Sequence, residues 1–368
     1  MASNLKSNRA TISFTLDGVT VAAQPNETIL QVAQRHDVEI PHLCFTDTLR
    51  ADGNCRACVV EISGERTLAP SCCRYPSEGM SVESNSLRAT TAQKMVLELL
   101  QSDIPKTPSL TPNSELDHWC KKLNVTERRF PQRRQPEQDL SHPAISVSLD
   151  ACIQCGRCLR ACREEQANDV IGFSGRGSQA QIIFDMDDPM GQSSCVGCGE
   201  CVQACPTGSL MPAGDAGKQA IDRKVHSVCP YCGVGCQLTY HIKDNRIQFV
   251  EGRDGPANRG RLCVKGRYGF DYVNHRQRLT KPLIRKTDAP KHVEMDMDYE
   301  HPLRDFREAS WEEALQYAAD GLKVILDSQG PAGLAGFGSA KGSNEEAYLF
   351  QKLIRTGLHT NNVDHCTR

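Results

Sequence analysis

Residues 11–16 alternate apolar and polar side chains, Asp17-Gly18 offers a turn, and residues 19–23 alternate again. A period of two interrupted by Asp-Gly predicts a β-hairpin. Between Asn26 and His36 the period changes, because Ile29, Leu30, Val32 and Ala33 share one helical stripe with Asn26 or Thr28 available as the cap. Residues 59–62 and 67–69 flank Ser63-Gly64 as a second hairpin, and residues 86–100 predict an amphipathic helix carrying Leu87, Val96, Leu97 and Leu100. Short strands are predicted at 171–173 and 181–184, around the glycine-rich turn 174–178. Another antiparallel pair is predicted at 238–242 and 247–250, joined by Asp244-Asn245. From Leu279 on, the pattern becomes α/β. Ser310-Trp311-Glu312-Glu313 reads as a capping box for a helix running through Leu322 and Val324. Residues 333–338 read as a buried strand, and the glycine loop 336–342 leads into a helix over 344–354.

Composition adds metal to this picture. With 368 residues, two to three domains are expected. A hydrophobic content of 39% with 5% aromatics makes a thin core for that length, whereas nineteen cysteines are far more than packing needs. Metal ligation supplies folding energy to modules that bury too little apolar area. A disulfide scaffold is the other cysteine-rich class. Residues 1–10 contain no apolar stretch of a secretion signal and no twin arginine. No apolar run is long enough for a membrane span. The reading is a cytoplasmic protein whose thiols bind metal. The net charge of −2 gives no electrostatic case for nucleic acid. Residues 105–143, rich in Pro, Gln and Arg, read as a connector, and 212–218 as a linker. The basic run Arg128, Arg129, Arg133 and Arg134 reads as a solvated segment, with docking to an acidic partner as the alternative.

The cysteines fall into three groups. Cys152, Cys155, Cys158 and Cys162 form one C-x2-C-x2-C-x3-C run, and Cys195, Cys198, Cys201 and Cys205, followed by Pro206, form another. In such paired runs three thiolates wrap one [4Fe–4S] cubane and the fourth crosses to the other. One cluster is therefore assigned Cys152, Cys155, Cys158 and Cys205; the other takes Cys195, Cys198, Cys201 and Cys162. Zinc modules use two knuckles around a longer loop, which two complete four-cysteine runs do not match. Cys44, Cys55, Cys58 and Cys72, spaced C-x10-C-x2-C-x13-C on a mixed sheet with one helix, suggest a β-grasp [2Fe–2S] ferredoxin, with Cys73 as the alternative to Cys72. Cys229, Cys232, Cys236 and Cys263 form a C-x2-C-x3-C-x26-C pattern on a small antiparallel sheet, where Gly233 and Gly235 let backbone fold closely around a cluster.

These motifs carry resemblances that cover nearly the whole chain. The first group resembles the N-terminal ferredoxin of the complex I large peripheral subunit, of iron-only hydrogenases and of NAD-linked formate dehydrogenases. The Cys229 group resembles the N-terminal [4Fe–4S] domain of molybdenum or tungsten bis-pterin oxidoreductases. In that family a lysine two residues after the last cysteine lies between cluster and pterin; Lys265 matches it. The glycine loop then stands where the pterin-binding half begins, which makes Gly336, Gly338, Lys341 and Gly342 candidate cofactor contacts. Complex I and hydrogenase relatives also carry a cluster held by one histidine and three cysteines. Here only His118 and Cys120 are present in that region, so that cluster is expected to be absent.

The expected architecture is α+β and multi-domain: a [2Fe–2S] ferredoxin (1–85), a helix and connector (86–145), a double-[4Fe–4S] ferredoxin (146–212), a [4Fe–4S] bis-pterin N-terminal domain (222–285), and the beginning of a molybdopterin oxidoreductase domain (286–368). The order resembles the alpha subunit of cytosolic NAD-dependent formate dehydrogenase. That resemblance implies one [2Fe–2S] and three [4Fe–4S] clusters, and a Mo- or W-bis(molybdopterin guanine dinucleotide) in the full-length subunit. Its implied partners are a flavin/NAD-binding diaphorase subunit and a small [2Fe–2S] subunit, in an assembly built as a dimer of heteromers. Residues 361–368 resemble the segment just before the metal ligand of these enzymes, with Cys366 matching a cysteine that is not the ligand. The chain therefore reads as the front of a longer subunit, relaying electrons and inactive on formate by itself. The alternatives are a non-catalytic electron-transfer subunit of a complex I- or hydrogenase-like assembly, and a bis-pterin enzyme of the nitrate reductase type.

Overall fold

The structure is a computed structural model and describes residues 11–105, 114–133, 136–213, 220–289 and 301–366. Most of the 212–218 linker, Arg134 and the last two residues lie outside the described residues, as does the N-terminal stretch searched for a signal. The chain divides into two compact units, Met1–Ile221 and Asp222–Arg368.

In the first unit the hairpin β1 (Ile12–Leu16) and β2 (Val19–Ala23) forms as expected, and its Asp17 and Gly18 both take positive φ. Helix α1 (Ile29–Arg35) is capped by Thr28, which exchanges hydrogen bonds with Gln31 in a full capping box. Strands β3 (Val59–Ile62), β4 (Ala69–Pro70) and β5 (Ser81–Glu83) complete a mixed sheet of order β2-β1-β5-β3-β4. The β1–β5 pair is parallel, and α1 crosses one face, burying Ile29, Leu30, Val32 and Ala33 against Phe14, Leu16, Val60 and Val82. The hairpin partner of β3 is thus shifted toward Pro70 from the expected 67–69.

Helix α2 (Leu87–Asp103) is capped by Ser86 and runs past the expected end. Its buried face is set by Ala89, Gln93, Leu97, Glu98 and Ser102, whereas Leu87 is 86% exposed. Leu87 therefore does not belong to the stripe. The buried polar residues on that face are satisfied: Gln93 donates to the carbonyls of Val59 and Ser84, and Glu98 accepts a two-pronged contact from Arg129 at 2.6 and 2.7 Å. That contact corrects the reading of the basic run. Arg128 donates to Ile104 O, and Arg133 reaches Leu149 O and Cys152 O, so three of its four arginines tie the connector to the body, Arg128 and Arg133 from half-buried positions and Arg129 from an exposed one.

Helix α3 (Glu115–Lys122) precedes the double-cysteine region. There β6 (Ile145–Val147), α4 (Arg157–Arg160), β7 (Ile171–Ser174), β8 (Gln181–Phe184), α5 (Glu200–Ala204) and β9 (Leu210–Pro212) follow in order. β6 closes on β9 and β7 on β8, both antiparallel.

The second unit opens with a three-stranded antiparallel sheet: β10 (Arg223–Val228), β11 (Gln237–Lys243) and β12 (Arg246–Gly252). β10 was not foreseen. Helix α6 (Val264–Tyr268) packs against β12. β13 (Leu283–Arg285) pairs with β14 (Phe306–Glu308), α7 (Trp311–Gln329) follows, and β15 (Gly336–Gly338), α8 (Asn344–Lys352) and β16 (Val363–His365) end the described chain. Ser310 caps α7 by accepting from Glu313 N, but the Glu313 carboxylate is engaged by Arg307 instead of closing the expected box. The strand expected over 333–338 is shorter, and Phe337 is 83% exposed; among the described residues the strand pairs only in the parallel three-residue ladder with β16. The expected helix over 344–354 starts at Asn344, with Ser343 and Glu346 in a full capping box, and widens into a π turn from Leu353.

Candidate metal centres

All nineteen cysteines are free thiols. Among the described residues, no three His, Cys, Asp or Glu side chains converge on one point as the ligands of a single ion would. The thiols come together instead as pairs along loops.

Cys44, Cys58 and Cys72 are buried and Cys55 is half-buried, on the loops that lead into β3 and out of β4. Thiol hydrogen bonds from Cys55 and Cys72 hold Cys44 well below the ordinary thiol range and push Cys55 and Cys72 up; Cys58 is lowered, first by Cys72. The four thiols thus meet as Cys44 with Cys55 and Cys58 with Cys72, bridged by Cys44 with Cys72. Two pairs of sulfurs, one pair per iron, is what a [2Fe–2S] rhomb requires. Cys73 Sγ stands 3.6 Å from Cys72 Sγ at the edge of the group, and is raised by burial.

The double run has an internal repeat. Gln154 and Gly197 have φ of 55° and 65°, and Gly156 and Gly199 have φ of 72° and 77°. These left-handed residues fold each run back on itself, so that the N–H of Gln154 donates to Cys152 Sγ and that of Gly197 to Cys195 Sγ, both at 3.4 Å. Such N–H···S bonds also tune cluster potentials. Burial pushes Cys152 up to about 11 and Cys155 up to about 12, and Cys205 is among the neighbouring charges that raise both. Cys158 is raised by burial, with Cys205 again among its neighbours. Burial also raises Cys195 and Cys198, and there the crossing neighbour is Cys162. The fold therefore brings Cys205 to the first three thiols and Cys162 to the second run. Near the pair His118 and Cys120, where relatives carry a further cluster, Cys120 is buried among Leu97, Leu116 and Trp119, and His118 stands edge-on to the Trp119 ring.

In the second unit, Cys229 and Cys236 close a loop through a 2.8 Å backbone bond from Cys229 N to Cys236 O. Cys263 is the N-cap of α6, and Cys232 and Cys263 are exposed. Burial raises Cys229 and Cys236, and Cys232 and Cys263 are among the neighbouring groups that raise each further. Gly266 sits under this group, where a Cβ would lie 3.4 Å from Cys229 Sγ. Lys265, one residue earlier on α6, is exposed. The glycine loop packs against the cysteine loop by backbone: Gly233 N donates to Ala340 O at 3.0 Å, and a Cβ on Gly233 would meet Gly342 O at 3.0 Å. Gly342 and Lys341 thus border the cysteine loop. At Gly336 a Cβ would run into Ile354, and at Gly338 it would lie 3.5 Å from Phe350 and His365.

The thiol groups fit the clusters in donor type, pairing and N–H···S contacts. The chain matches the 2Fe-2S iron-sulfur cluster binding domain over residues 9–86, the 4Fe-4S dicluster domain over 151–209, the molybdopterin oxidoreductase Fe4S4 domain over 222–275 and the molybdopterin oxidoreductase domain over 278–368. These four matches, in this order, give the kinds of domain the chain is built from, iron–sulfur domains of the 2Fe–2S and 4Fe–4S types followed by a stretch similar to molybdopterin oxidoreductases, with Fe–S clusters and a molybdopterin cofactor as their groups.

More particular likenesses follow. The Bacillus subtilis protein named "Probable oxidoreductase YjgC" is 32% identical, over 97% of this chain and 39% of its own length. "Putative formate dehydrogenase YrhE" of the same organism is 30% identical over 97% of this chain and 40% of its own. A Staphylococcus aureus protein, "Putative formate dehydrogenase SAUSA300_2258", is 30% identical over 96% and 39%. The chain thus spans about two fifths of the length of these relatives. Among solved structures, a chain from the crystal structure of NAD+-reducing [NiFe]-hydrogenase in the H2-reduced state matches with a TM-score of 0.54 at 26% identity, covering 58% of this chain and 92% of that one. No helix among the described residues is long and apolar enough to cross a membrane.

Proposed function

We propose that this chain is the electron-relay front of a formate dehydrogenase alpha subunit, passing electrons from a Mo- or W-bis(molybdopterin guanine dinucleotide) site toward a flavin/NAD-binding subunit. The observation that carries the reading is the contact between the Cys229–Cys236 loop and the glycine loop at Ala340–Gly342. It joins the last cysteine group to the stretch that matches the molybdopterin domain. The likeness to relatives named as formate dehydrogenases supports the choice of substrate. When bound, the clusters supply one-electron storage and the pterin metal supplies the oxidation of formate to CO2.

The residues have these roles. Cys44, Cys55, Cys58 and Cys72 hold the [2Fe–2S] centre. Cys152, Cys155, Cys158 and Cys205 hold the first cubane; Cys195, Cys198, Cys201 and Cys162 hold the second. Cys229, Cys232, Cys236 and Cys263 hold the third. Lys265 lies between that last cluster and the pterin, and Lys341 and Gly342 contact the pterin. The partners are a diaphorase subunit and a small [2Fe–2S] subunit in the cytoplasm.

Iron and sulfide analysis of the anaerobically purified chain tests the cluster set, which requires about fourteen irons. About eighteen would mean a further cubane in the connector. In the full-length subunit, Lys265→Ala should slow formate-dependent dye reduction while leaving the formate KM in place; equal losses in both would remove Lys265 from the electron path. One observation favours a second reading, an electron-transfer subunit of a hydrogenase-like assembly: the solved hydrogenase chain is covered over 92% of its length. The stretch from 222 on, with its Fe4S4 and molybdopterin matches, supports the first.

A further inference from the structure

The two cysteine runs repeat one another in backbone but not in charge. Counting from Cys155 and Cys198, each run reads Cys-Gly-X-Cys-X-X-Ala-Cys; where the first has Arg157 and Arg160, the second has Glu200 and Gln203. Arg157, Arg160 and Glu200 are 7%, 3% and 9% exposed. The cations of the first run point toward the [2Fe–2S] loop. Arg160 Nη2 donates to Cys44 O at 2.6 Å and to Cys155 O at 3.5 Å, so one guanidinium bridges the backbone of a cysteine from each group. Its other contacts are the carbonyls of Gly156 and Arg50. All four partners are neutral. Arg157 donates to Leu43 O and to Glu115, and its buried Nε has no hydrogen-bond partner, which leaves one donor for a sulfur acceptor. Asn54 Nδ2 donates to Gln154 O at 2.8 Å, and Cys44 and Cys155 share one apolar cluster with Leu43, Ala57 and Ile153.

We propose that Arg160, supported by Arg157, makes a direct junction between the [2Fe–2S] centre and the first cubane, and sets the first cubane to hold an electron more firmly than the second. The inference rests on the ligand sets of the proposed function. A buried cation in a low-dielectric site stabilises the extra negative charge of a reduced centre, and a buried carboxylate opposes it. Arg160 is a positioning residue: it clamps Cys44 and Cys155 and biases both centres. One electron leaves the centre at the first run, which is oxidised, and enters the centre at Cys44, which is reduced. No bond breaks and no proton moves. Dithionite supplies the electron in the test.

The experiment uses the anaerobic holoprotein, with Arg160→Gln, the residue of the second run, and Arg160→Lys, which keeps the charge. Iron and sulfide content, dithionite redox titration followed by electron paramagnetic resonance, and broadening of the reduced [2Fe–2S] signal by a reduced cubane are read together. The wild type should show that broadening. Arg160→Gln should move the electron distribution between the two cubanes about tenfold toward the second, about 59 mV for a one-electron couple, and Arg160→Lys should restore most of it. Two results each overturn the proposal: no broadening in the wild type, or an unchanged distribution in Arg160→Gln at full iron content. If Arg160→Gln fails to assemble clusters, the wild-type broadening together with Arg160→Lys decides: a Lys variant whose distribution departs from the wild type overturns the charge role. A wild type without iron and sulfide would sink the proposed function itself, and is told apart by the metal analysis.

Discussion

Leu97→Ala is expected to loosen the packing between the [2Fe–2S] loop and the first cubane loop. Leu97 is fully buried on α2 and lies in the apolar cluster that contains Leu43, Cys44, Leu116, Trp119, Ile153 and Cys155. Removing a buried leucine side chain to Ala loses about 1.5–3 kcal/mol of burial, and the cavity term brings typical losses to about 2.7–5 kcal/mol. The neighbours Trp119 and Leu43 come from different elements tied by Arg157 and Arg160, so collapse into the cavity is hindered and about 3 kcal/mol is expected. For a unit of this size that is roughly 6–12 °C in melting temperature. The control lies on the same helix: Leu87 is 86% exposed, and Leu87→Ala should change stability by no more than about 0.5 kcal/mol. Both variants are melted anaerobically at one scan rate, since cofactor-bearing chains unfold irreversibly, with circular dichroism and cluster absorbance followed together. Leu97→Ala should also bleach earlier than the wild type. Equal shifts for the two variants, or a larger one for Leu87→Ala, would refute the packing argument.

Other outcomes follow from the same geometry. Gly156→Ala should cost roughly 1–2 kcal/mol, because its φ is 72° while its Cβ would meet only the Phe173 ring at ordinary distance; Gly191→Ala should cost more, since its Cβ would run into the Ser141 carbonyl. Comparative urea melts check the order. Gly233→Ala should disturb the contact with the glycine loop, whose Gly342 O lies 3.0 Å from the new Cβ; altered magnetic resonance of the Cys229-group cluster alone is the expected signature, and an unchanged spectrum counts against the contact. In the metal-free chain, burial raises Cys152 to about 11 and Cys155 to about 12 from 9.0. Their folded pKa lies above the unfolded one, so the stability they contribute is present below about pH 9 and is lost as pH climbs toward 12. A denaturation midpoint of the apo chain that rises over that window would contradict the assignment.

Much of the fold is readable from local chemistry. Asp17-Gly18 turns the hairpin as expected, and Thr28, one of two expected caps, closes α1; Ser86 and Ser343 with Glu346 cap α2 and α8 by the same local chemistry, which needs no tertiary partner. The misses share a cause, which is that burial was decided elsewhere in the chain. Residues 223–228 are polar and half-exposed and become a strand only because β11 offers an edge. Leu87 is apolar like Leu97, but at 3.6 residues per turn it lies about 80° around α2 from it and is left on the exposed side. Residues 333–335 do not extend β15 because its ladder partner, Val363–His365, is only three residues long. The arginines at 128–133 look solvated until distant acceptors are known: the Glu98 carboxylate, on a helix thirty residues earlier, for Arg129, and the carbonyls of Ile104, Leu149 and Cys152 for Arg128 and Arg133.

The cysteines are the opposite case. Their spacing limits how far each thiol can reach, so the two runs and their expected exchange of a fourth ligand can be read from the sequence, and Cys205 and Cys162 are among the groups that raise the thiols of the opposite run. What spacing does not carry is the charge around them. Arg157 and Glu200 stand at equal positions in two runs that look alike as cysteine motifs, and their effect depends on burial, which is a tertiary property. A relay needs both kinds of information. Thiol spacing decides where iron can be held, whereas buried charge decides which way an electron prefers to go between two sites of equal ligation. In the relay we propose, two cubanes bound by like cysteine sets would share an electron evenly; the buried Arg160 guanidinium, whose partners are all carbonyls, breaks that equality on the side that faces Cys44.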